Sequence, residues 1–257
     1  MTSGSIHYEV RDHVAHISIN RPDKRNALTT PMYLQLTAFL SEAERDATVR
    51  VILFRGEGGH FSAGNDLADF LNQPPIDADS PVMKFLFAVA GAHKPLVAAV
   101  EGVAVGIGTT LLLHCDLSYA ARDAKFSLPF VNLGLVPEAA SSLLLPHLCG
   151  HARAAELLLL GEPFTADTAK DCGIITGITG VGEALASAEQ AARKLAQKPP
   201  AALRASKALL KRHLRGAVSD TLLVEAAEFR QRLQSPEAKE AFQAFLEKRA
   251  PDFSRFN

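Results

Sequence analysis

Tryptophan is absent from this chain, tyrosine and cysteine occur three times each, and no apolar run is long. Each shortage excludes something. Cys115, Cys149 and Cys172 lie far apart and form no CxxC pair, which argues against a disulfide framework and for a reducing compartment. The Leu-rich runs at 111–113, 143–145 and 157–160 are too short to span a bilayer, so no membrane partner is expected. A formal net charge of -1 gives no general signal for nucleic acid or membrane surfaces. No serine sits in a GxSxG elbow, which leaves hydrolase chemistry unsupported. His60, His114, His147 and His151 lack metal-ligand spacing and read as core or surface residues. Glu9 and Asp12 come early and no apolar h-region precedes them, so neither a signal nor a transit peptide is expected. The final residues, Arg255-Phe256-Asn257, are not a peroxisomal address. A cytoplasmic protein is the expectation.

What is present is a large apolar fraction, 47% of 257 residues. That suffices for one large domain, or one domain with a helical appendage. Ile6–Val10 and Val14–Asn20 read as strands around a polar turn. RPDKRNALT, residues 21–29, reads as a loop. Thr30-Pro31 resembles an N-cap with proline at the first helical position. Met32, Leu36, Phe39, Leu40 and Ala43 then recur at helical spacing. Arg50–Arg55 reads as a buried strand, and Leu67–Pro81, with Pro74-Pro75 and three aspartates, as a mobile, exposed segment. A helix over Val82–Ala92 and a strand over Leu96–Val100 follow. Thr109–His114 reads as an apolar helix opened by Gly106 and Gly108, and Cys115–Ala120 as a strand. This alternation argues for an α/β fold. Helices are predicted at 151–160, 165–171, 181–197, 200–214, 218–233 and 236–249, interrupted by a strand at 174–178. The chain divides as a core, residues 1–198, and an all-helical tail, residues 199–257, expected to serve oligomerisation or as a lid.

The organising stretch is HFSAGNDL, His60 to Leu67, directly after the buried strand. Ala63-Gly64 lets a ligand approach the backbone closely, as an anion-stabilising N–H requires. About one βα unit later, Gly106 and Gly108 form a second small-residue turn at a helix start, where developing negative charge is favoured. Two such turns can aim two N–H groups at one oxygen. The plainer reading of Gly106 and Gly108 is close packing of helix on strand.

In order, RPDKRNALT, HFSAGNDL, EGVAVGIGTTLLLHCDLSYA and FSLPFVNLGLVPEAAS, with the closing EKRAPDF, resemble the crotonase superfamily (the enoyl-CoA hydratase/isomerase family). The likeness runs over nearly the whole chain and lies closest, in motif, to the peroxisomal-type Δ3,Δ2-enoyl-CoA isomerase branch. It implies a spiral of ββα units and a C-terminal helical region used in trimerisation, often as a dimer of trimers. It also implies acyl-CoA substrates, with coenzyme A as part of the substrate and no metal or redox cofactor. It places the oxyanion-hole donors at the backbone N–H groups of Ala63 and Ile107. Ile107 stands where the family usually has glycine, which the backbone donor does not require. The loop Lys24 to Leu28, including Arg25 and Ala27, resembles the CoA-binding rim together with Asp66 and Leu67. Lys24, Arg25 and Lys248 are the phosphate partners it suggests. Taken singly, each is as well read as an ordinary solvated charge, and Asp66 as a structural salt bridge.

The resemblance also selects a chemistry. Two-glutamate hydration would place its carboxylates at Thr110 and Phe130, and neither is acidic. Glu138, in LGLVPEAASS, falls where the isomerase branch carries its single acid/base. Its apolar neighbours would raise its pKa toward a useful value. Its blander role is helix-dipole stabilisation in a first turn after proline. An apolar acyl pocket is predicted from among Phe70, Leu71, Met83, Phe87 and Phe130, with the 70–81 loop mobile without ligand. The Phe-rich tail (Phe229, Phe242, Phe245, Phe253, Phe256) is predicted to pack across a subunit boundary in a homotrimer or hexamer. The alternatives are an enoyl-CoA hydratase, a catalytically silent CoA-ester binder, or an RNA-binding relative using Arg204, Lys207, Lys211, Arg212 and Arg215. Those basic residues spread around their helix, so no nucleic acid partner is expected.

Overall fold

A computed structural model describes residues 4–72 and 79–256. β1 (Ser5–Arg11) and β2 (Val14–Asn20) form an antiparallel hairpin with Arg11 opposite Val14. Asp12 and His13 between them both take positive φ, as a two-residue hairpin turn requires. After α1 (Thr30–Arg45), β3 (Val51–Gly56) runs parallel to β2. Then come α2 (Leu67–Asn72), α3 (Pro81–Ala90), β4 (Leu96–Val100) and β5 (Val103–Val105). The single turn α4 (Ile107–Thr110), β6 (Leu117–Ala121), β7 (Lys125–Ser127) and α5 (Ser141–Ala155) follow. β8 (Phe164–Thr165), α6 (Ala166–Asp171) and β9 (Gly177–Thr179) complete the sheets. The chain closes with α7 (Ala184–Ala196), α8 (Pro200–Lys211), α9 (Arg215–Leu233) and α10 (Pro236–Glu247). The fold is the expected mixed α/β architecture.

The strands form a large sheet, ordered β1-β2-β3-β4-β6-β9, and a small one, β5-β7-β8. Isolated parallel bridges extend the small sheet's logic: Leu28 pairs with Asn65, and Ser62 with Ala104. β2, β3, β4 and β6 thus each lead into a short segment, and the segments of successive units pair. This is a spiral, and the two glycine turns lie on its successive coils. One face of the large sheet packs into the main core with α1 and α3. Its other face, Val14, Val51, Leu53, Val97 and Ala99, is covered by α7 through Ala184, Ala188, Ala192 and Ala196. Alanine at every fourth position lets that helix approach closely along one stripe.

Several boundaries differ from the sequence reading, each for a local reason. The supposedly exposed stretch after Leu67 begins as α2, with Phe70 buried; residues 73–78 lie outside the described residues. Thr30 does not cap α1; the N-cap residue is Thr29, which makes no side-chain cap. Instead the Asp69 carboxylate accepts from the Thr30 N–H at 2.7 Å and its hydroxyl at 2.8 Å. The helix predicted from His151 starts ten residues earlier, at Ser141, because Pro146 and a non-helical Gly150 (φ 78) break its pattern. It continues through a wide turn to Leu160, and the run 141–160 is long and apolar enough by composition to cross a membrane. Leu145, Ala154, Leu157 and Leu158 are nevertheless packed into the protein core. The strand expected over 174–178 is only Gly177–Thr179, since Ile174 and Ile175 are buried in the connection before it.

The helical tail is not an appendage. Lys207 on α8 is 5% exposed; its ammonium meets Asp116 at 2.8 Å and donates to the Lys94 carbonyl at 2.7 Å. Lys211 donates to the His114 carbonyl at 3.0 Å. Two of the five basic residues weighed for RNA therefore point into the protein. Phe229 and Phe242, expected at a subunit boundary, are buried within their own chain, whereas Phe245 and Phe253 are exposed. Lys207→Met should cost about 3 kcal/mol of unfolding free energy, the low end for breaking a buried pair because Asp116 is partly solvated. Denaturant titration checks this, and a change below about 1 kcal/mol would show that α8 is held by packing alone.

Candidate active site

The spiral brings the two glycine turns into contact. A Cβ on Gly64, whose φ is +90°, would lie 2.9 Å from the Val105 carbonyl oxygen, and one on Gly108 would lie 2.7 Å from the Ser62 oxygen. Both positions therefore need glycine for close approach, not only for packing of helix on strand. α4 is a single turn followed by a 3-10 turn, Leu111–His114, so any anion stabilisation here rests on the Ile107 N–H itself and little on a macrodipole. The first turn differs from the sequence reading. The Ala63 N–H donates to the Arg25 carbonyl at 2.9 Å and is spent. In the parallel bridge, Leu28 donates to the Gly64 carbonyl and accepts from the Asp66 N–H. That pattern turns the intervening Asn65 N–H away from Leu28 and toward the opposite side. Asn65 lines the pocket described below.

The loop before α1 is tied to this turn residue by residue. Arg25 and Asn26 both take positive φ. Asn26, fully buried, donates to the carbonyls of Glu57 at 2.8 Å and His60 at 2.6 Å. Arg21 meets Asp66 at 2.7 Å and donates to the Ala27 carbonyl at 3.1 Å. Asp66 also accepts from the Ala68 and Asp69 N–H groups, capping α2. Burial pushes the Asp66 pKa up, but Arg21 and those N–H donors outweigh it and hold it below the usual carboxylate range. Asp66 is a structural tie here. Lys24 and Arg25 are exposed, Leu67 is half-buried, and Leu28 is buried. Lys248 stands apart: it closes α10 in a left-handed conformation, and no contact joins it to this loop among the described residues.

Glu138 is the chemically distinctive side chain. It lies in irregular chain before α5, not in a helical turn, so first-turn helix-dipole stabilisation does not explain it. It is 9% exposed, and the Thr110 hydroxyl donates to its Oε1 at 2.5 Å. Burial pushes its pKa up to about 8; the Thr110 bond opposes this and the Glu225 carboxylate adds to it. Tyr33, fully buried on α1, donates to Asn65 Oδ1 at 2.5 Å. Its own pKa is raised by burial and then by Glu138. The His114 ring bonds the Ala139 carbonyl at 2.8 Å, and burial lowers that histidine to about 4, so it donates as a neutral imidazole. Burial drives the Cys115 thiol up to about 12, which removes it as a nucleophile at neutral pH.

The raised Glu138 pKa carries a stability consequence. A carboxyl raised from 4.5 to about 8 on folding leaves stability intact below pH 4.5 and loses it as pH climbs to 8, by on the order of 5 kcal/mol. Glu138→Gln removes that loss. The variant should melt several degrees above the parent at pH 8.5, with the gap closing below pH 5. Calorimetry across pH tests this; equal melting temperatures at pH 8.5 would mean that the carboxylate is not held against its ionisation.

Glu138, Asn65, Phe70, Val82, Met83, Leu86, Leu222, Glu225 and Phe229 line one pocket of about 30 Å³, room for about two water molecules. Phe70 and Phe229 meet edge to face across it at 5.8 Å. Of the expected apolar wall, Phe70 and Met83 are in place. Phe87 lines a different cavity, Phe130 is buried but not in this wall, and the Leu71 side chain lies outside the described residues. α9 supplies the far wall, which the sequence reading did not foresee.

The kinship of a chain-long spiral with paired glycine turns above the buried Glu138 is decided by comparison. The family described as enoyl-CoA hydratase/isomerase matches residues 9–255. The chain belongs to this family. It is 36% identical over 254 residues to a Bacillus subtilis (strain 168) protein named "Probable enoyl-CoA hydratase", covering 97% of this chain and 98% of that one. It is 37% identical over 252 residues to 1,2-epoxyphenylacetyl-CoA isomerase of Escherichia coli (strain K12), covering 94% and 95%. The solved structure of Pseudomonas aeruginosa OdaA superposes with a TM-score of 0.91 at 45% identity, covering 94% and 98%. Within the enoyl-CoA hydratase/isomerase family, this chain has a hydroxyl and a ring, Thr110 and Phe130, where the resemblance puts the two hydration glutamates. Asn26, Tyr33, Asn65 and Glu225 are the site residues that sequence reasoning missed. Asn65 alone had a signal, being the residue after the turn glycine.

Proposed function

We propose that this enzyme isomerises a 3-enoyl-CoA thioester to the 2-enoyl isomer, with Glu138 as its one acid/base. The observation that carries the reading is the pocket-lining Glu138 carboxyl, raised by burial to about 8 and oriented by Thr110. The thioester carbonyl oxygen accepts from the N–H groups of Asn65 and Ile107. The first donor is Asn65, because the Ala63 N–H already serves the Arg25 carbonyl. Glu138 takes a proton from C2, and the C–H electrons move into a dienolate whose charge rests on the thioester oxygen. The protonated carboxyl then delivers that proton to C4, and the double bond shifts from C3–C4 to C2–C3. A pKa near working pH suits both halves of this transfer. No metal or redox cofactor takes part in this scheme. An acyl chain needs more than 30 Å³, so Phe70 and its neighbours move aside on binding.

The exposed Lys24, Arg25 and Lys248 serve the CoA phosphates in this reading, with Ala27, Leu28 and Leu67 forming the rim. The protein works in the cytoplasm as a homotrimer or hexamer. Support for assembly comes from the apolar side chains the tail leaves open, Leu210 at 85%, Val224 at 68% and Phe245 at 60% exposed. Light scattering should return three or six chain masses at micromolar concentration, and a monomeric mass ends this part of the proposal. Hydration is the second reading, favoured by a second carboxyl, Glu225, in the same pocket. Measuring 3-enoyl isomerisation beside 2-enoyl hydration on one preparation separates the two.

A further inference from the structure

Glu138 is followed by two residues in an unusual state. Ala139 (φ 59) and Ala140 (φ 57) are both in the left-handed region, which costs a non-glycine residue about 1 kcal/mol or more each. Something must hold them there. His114 takes the Ala139 carbonyl, and Ser141 bonds the Glu138 carbonyl through its N–H and hydroxyl, at 3.1 and 2.6 Å. The remaining clamp comes from 85 residues away in sequence: Glu225 on α9, 7% exposed, accepts from the Ala140 N–H at 2.6 Å and the Ser142 N–H at 2.9 Å. The Ser142 hydroxyl adds a third bond. No cation pairs with Glu225 among the described residues.

We propose that Glu225 is the positioning residue of this site: it fixes the left-handed turn that carries Glu138 and sets a second carboxyl in the same pocket. The inference rests on Glu138 being the acid/base. Burial raises the Glu225 pKa, and its three donors oppose this by favouring the charged form. Two carboxyls thus share one small pocket; the one with more hydrogen-bond donors keeps its charge, and that charge opposes ionisation of the other. The other groups around Glu138 are neutral: Thr110 from α4, Tyr33 from α1, Asn65 from the first turn, and His114 behind the turn. Lys207 and Lys211 on α8 face His114 and Asp116, not Glu138. The same bonds fasten α9, the far wall of the pocket, to the turn that carries the acid/base.

The test compares wild type, Glu225→Gln and Glu138→Gln. Glutamine removes the charge and sets an NH₂ donor against either the Ala140 or the Ser142 N–H. The ascending limb of kcat/KM against pH for a short 3-enoyl-CoA should move down by about one unit in Glu225→Gln. Its kcat should fall about tenfold or more, while KM changes little. Infrared titration of ¹³C-glutamate-labelled protein, with the Glu138 band assigned by its loss in Glu138→Gln, should show the same displacement. A folded Glu225→Gln whose limb and Glu138 band both stay put overturns the proposal. If Glu138→Gln isomerises normally, the proposed function fails, and the infrared titration still decides whether Glu225 tunes Glu138. Should Glu225→Gln not fold, Glu225→Asp keeps the charge but withdraws it by a methylene. It should shift the same band in the same direction by less, and an unmoved band overturns the inference equally.

Discussion

Replacing Glu138 by glutamine should slow isomerisation of a 3-enoyl-CoA by about 10²–10⁴-fold, the contribution of a well-placed general base. CoA-ester binding should change little, because the amide has nearly the same shape and still accepts from Thr110. The loss should therefore fall on kcat and kcat/KM alike. In the parent enzyme, activity should rise with pH until Glu138 ionises, near 8, and then level off. The base must be deprotonated to take the C2 proton, so activity is lost on the acid side. The same preparation should hydrate a 2-enoyl-CoA poorly, since neither Thr110 nor Phe130 can activate water. Rapid hydration that survives Glu138→Gln would sink the isomerase assignment and turn attention to Glu225.

A methyl group at Gly108 should be nearly as damaging. Its Cβ would stand 2.7 Å from the Ser62 carbonyl oxygen and 3.2 Å from the Ser62 Cβ, closer than a backbone can tolerate. The two turns must then part, and the Asn65 and Ile107 N–H groups no longer converge on one oxygen. Losing one such donor typically lowers the rate by about 10²–10³, and Gly108→Ala should lose about as much. Gly64→Ala should behave alike, because φ +90° and the Val105 oxygen at 2.9 Å both oppose a side chain. Gly216→Ala is the control: nothing lies within 4 Å of that Cβ, and a helical alanine is mildly stabilising. Wild-type turnover in Gly108→Ala would show that these turns do not form the oxyanion site.

The sequence by itself determined the class of the fold and pointed to the candidate site. Period-2 apolar runs such as Val14–Asn20 and the helical recurrence in α1 are local signals, set by which faces must be buried. The paired glycine turns were legible because close backbone approach excludes larger residues. Glu138 stood out as the acid among apolar neighbours. What the sequence could not decide was where backbone donors point and which distant groups meet. Ala63 and Asn65 are two residues apart; the Arg25 carbonyl takes the Ala63 N–H, and the bridge between Leu28 and Asn65 turns the Asn65 N–H to the opposite side. β5, β7 and β8 are two or three residues long, too short to show a period. The tail read as an appendage because its packing rests on contacts distant in sequence: Phe229 and Phe242 in the main core, Lys207 with Asp116, and Glu225 with the Ala140 turn. Contacts so distant in sequence leave no local pattern, and it is the tertiary structure that makes α9 a wall of the candidate site.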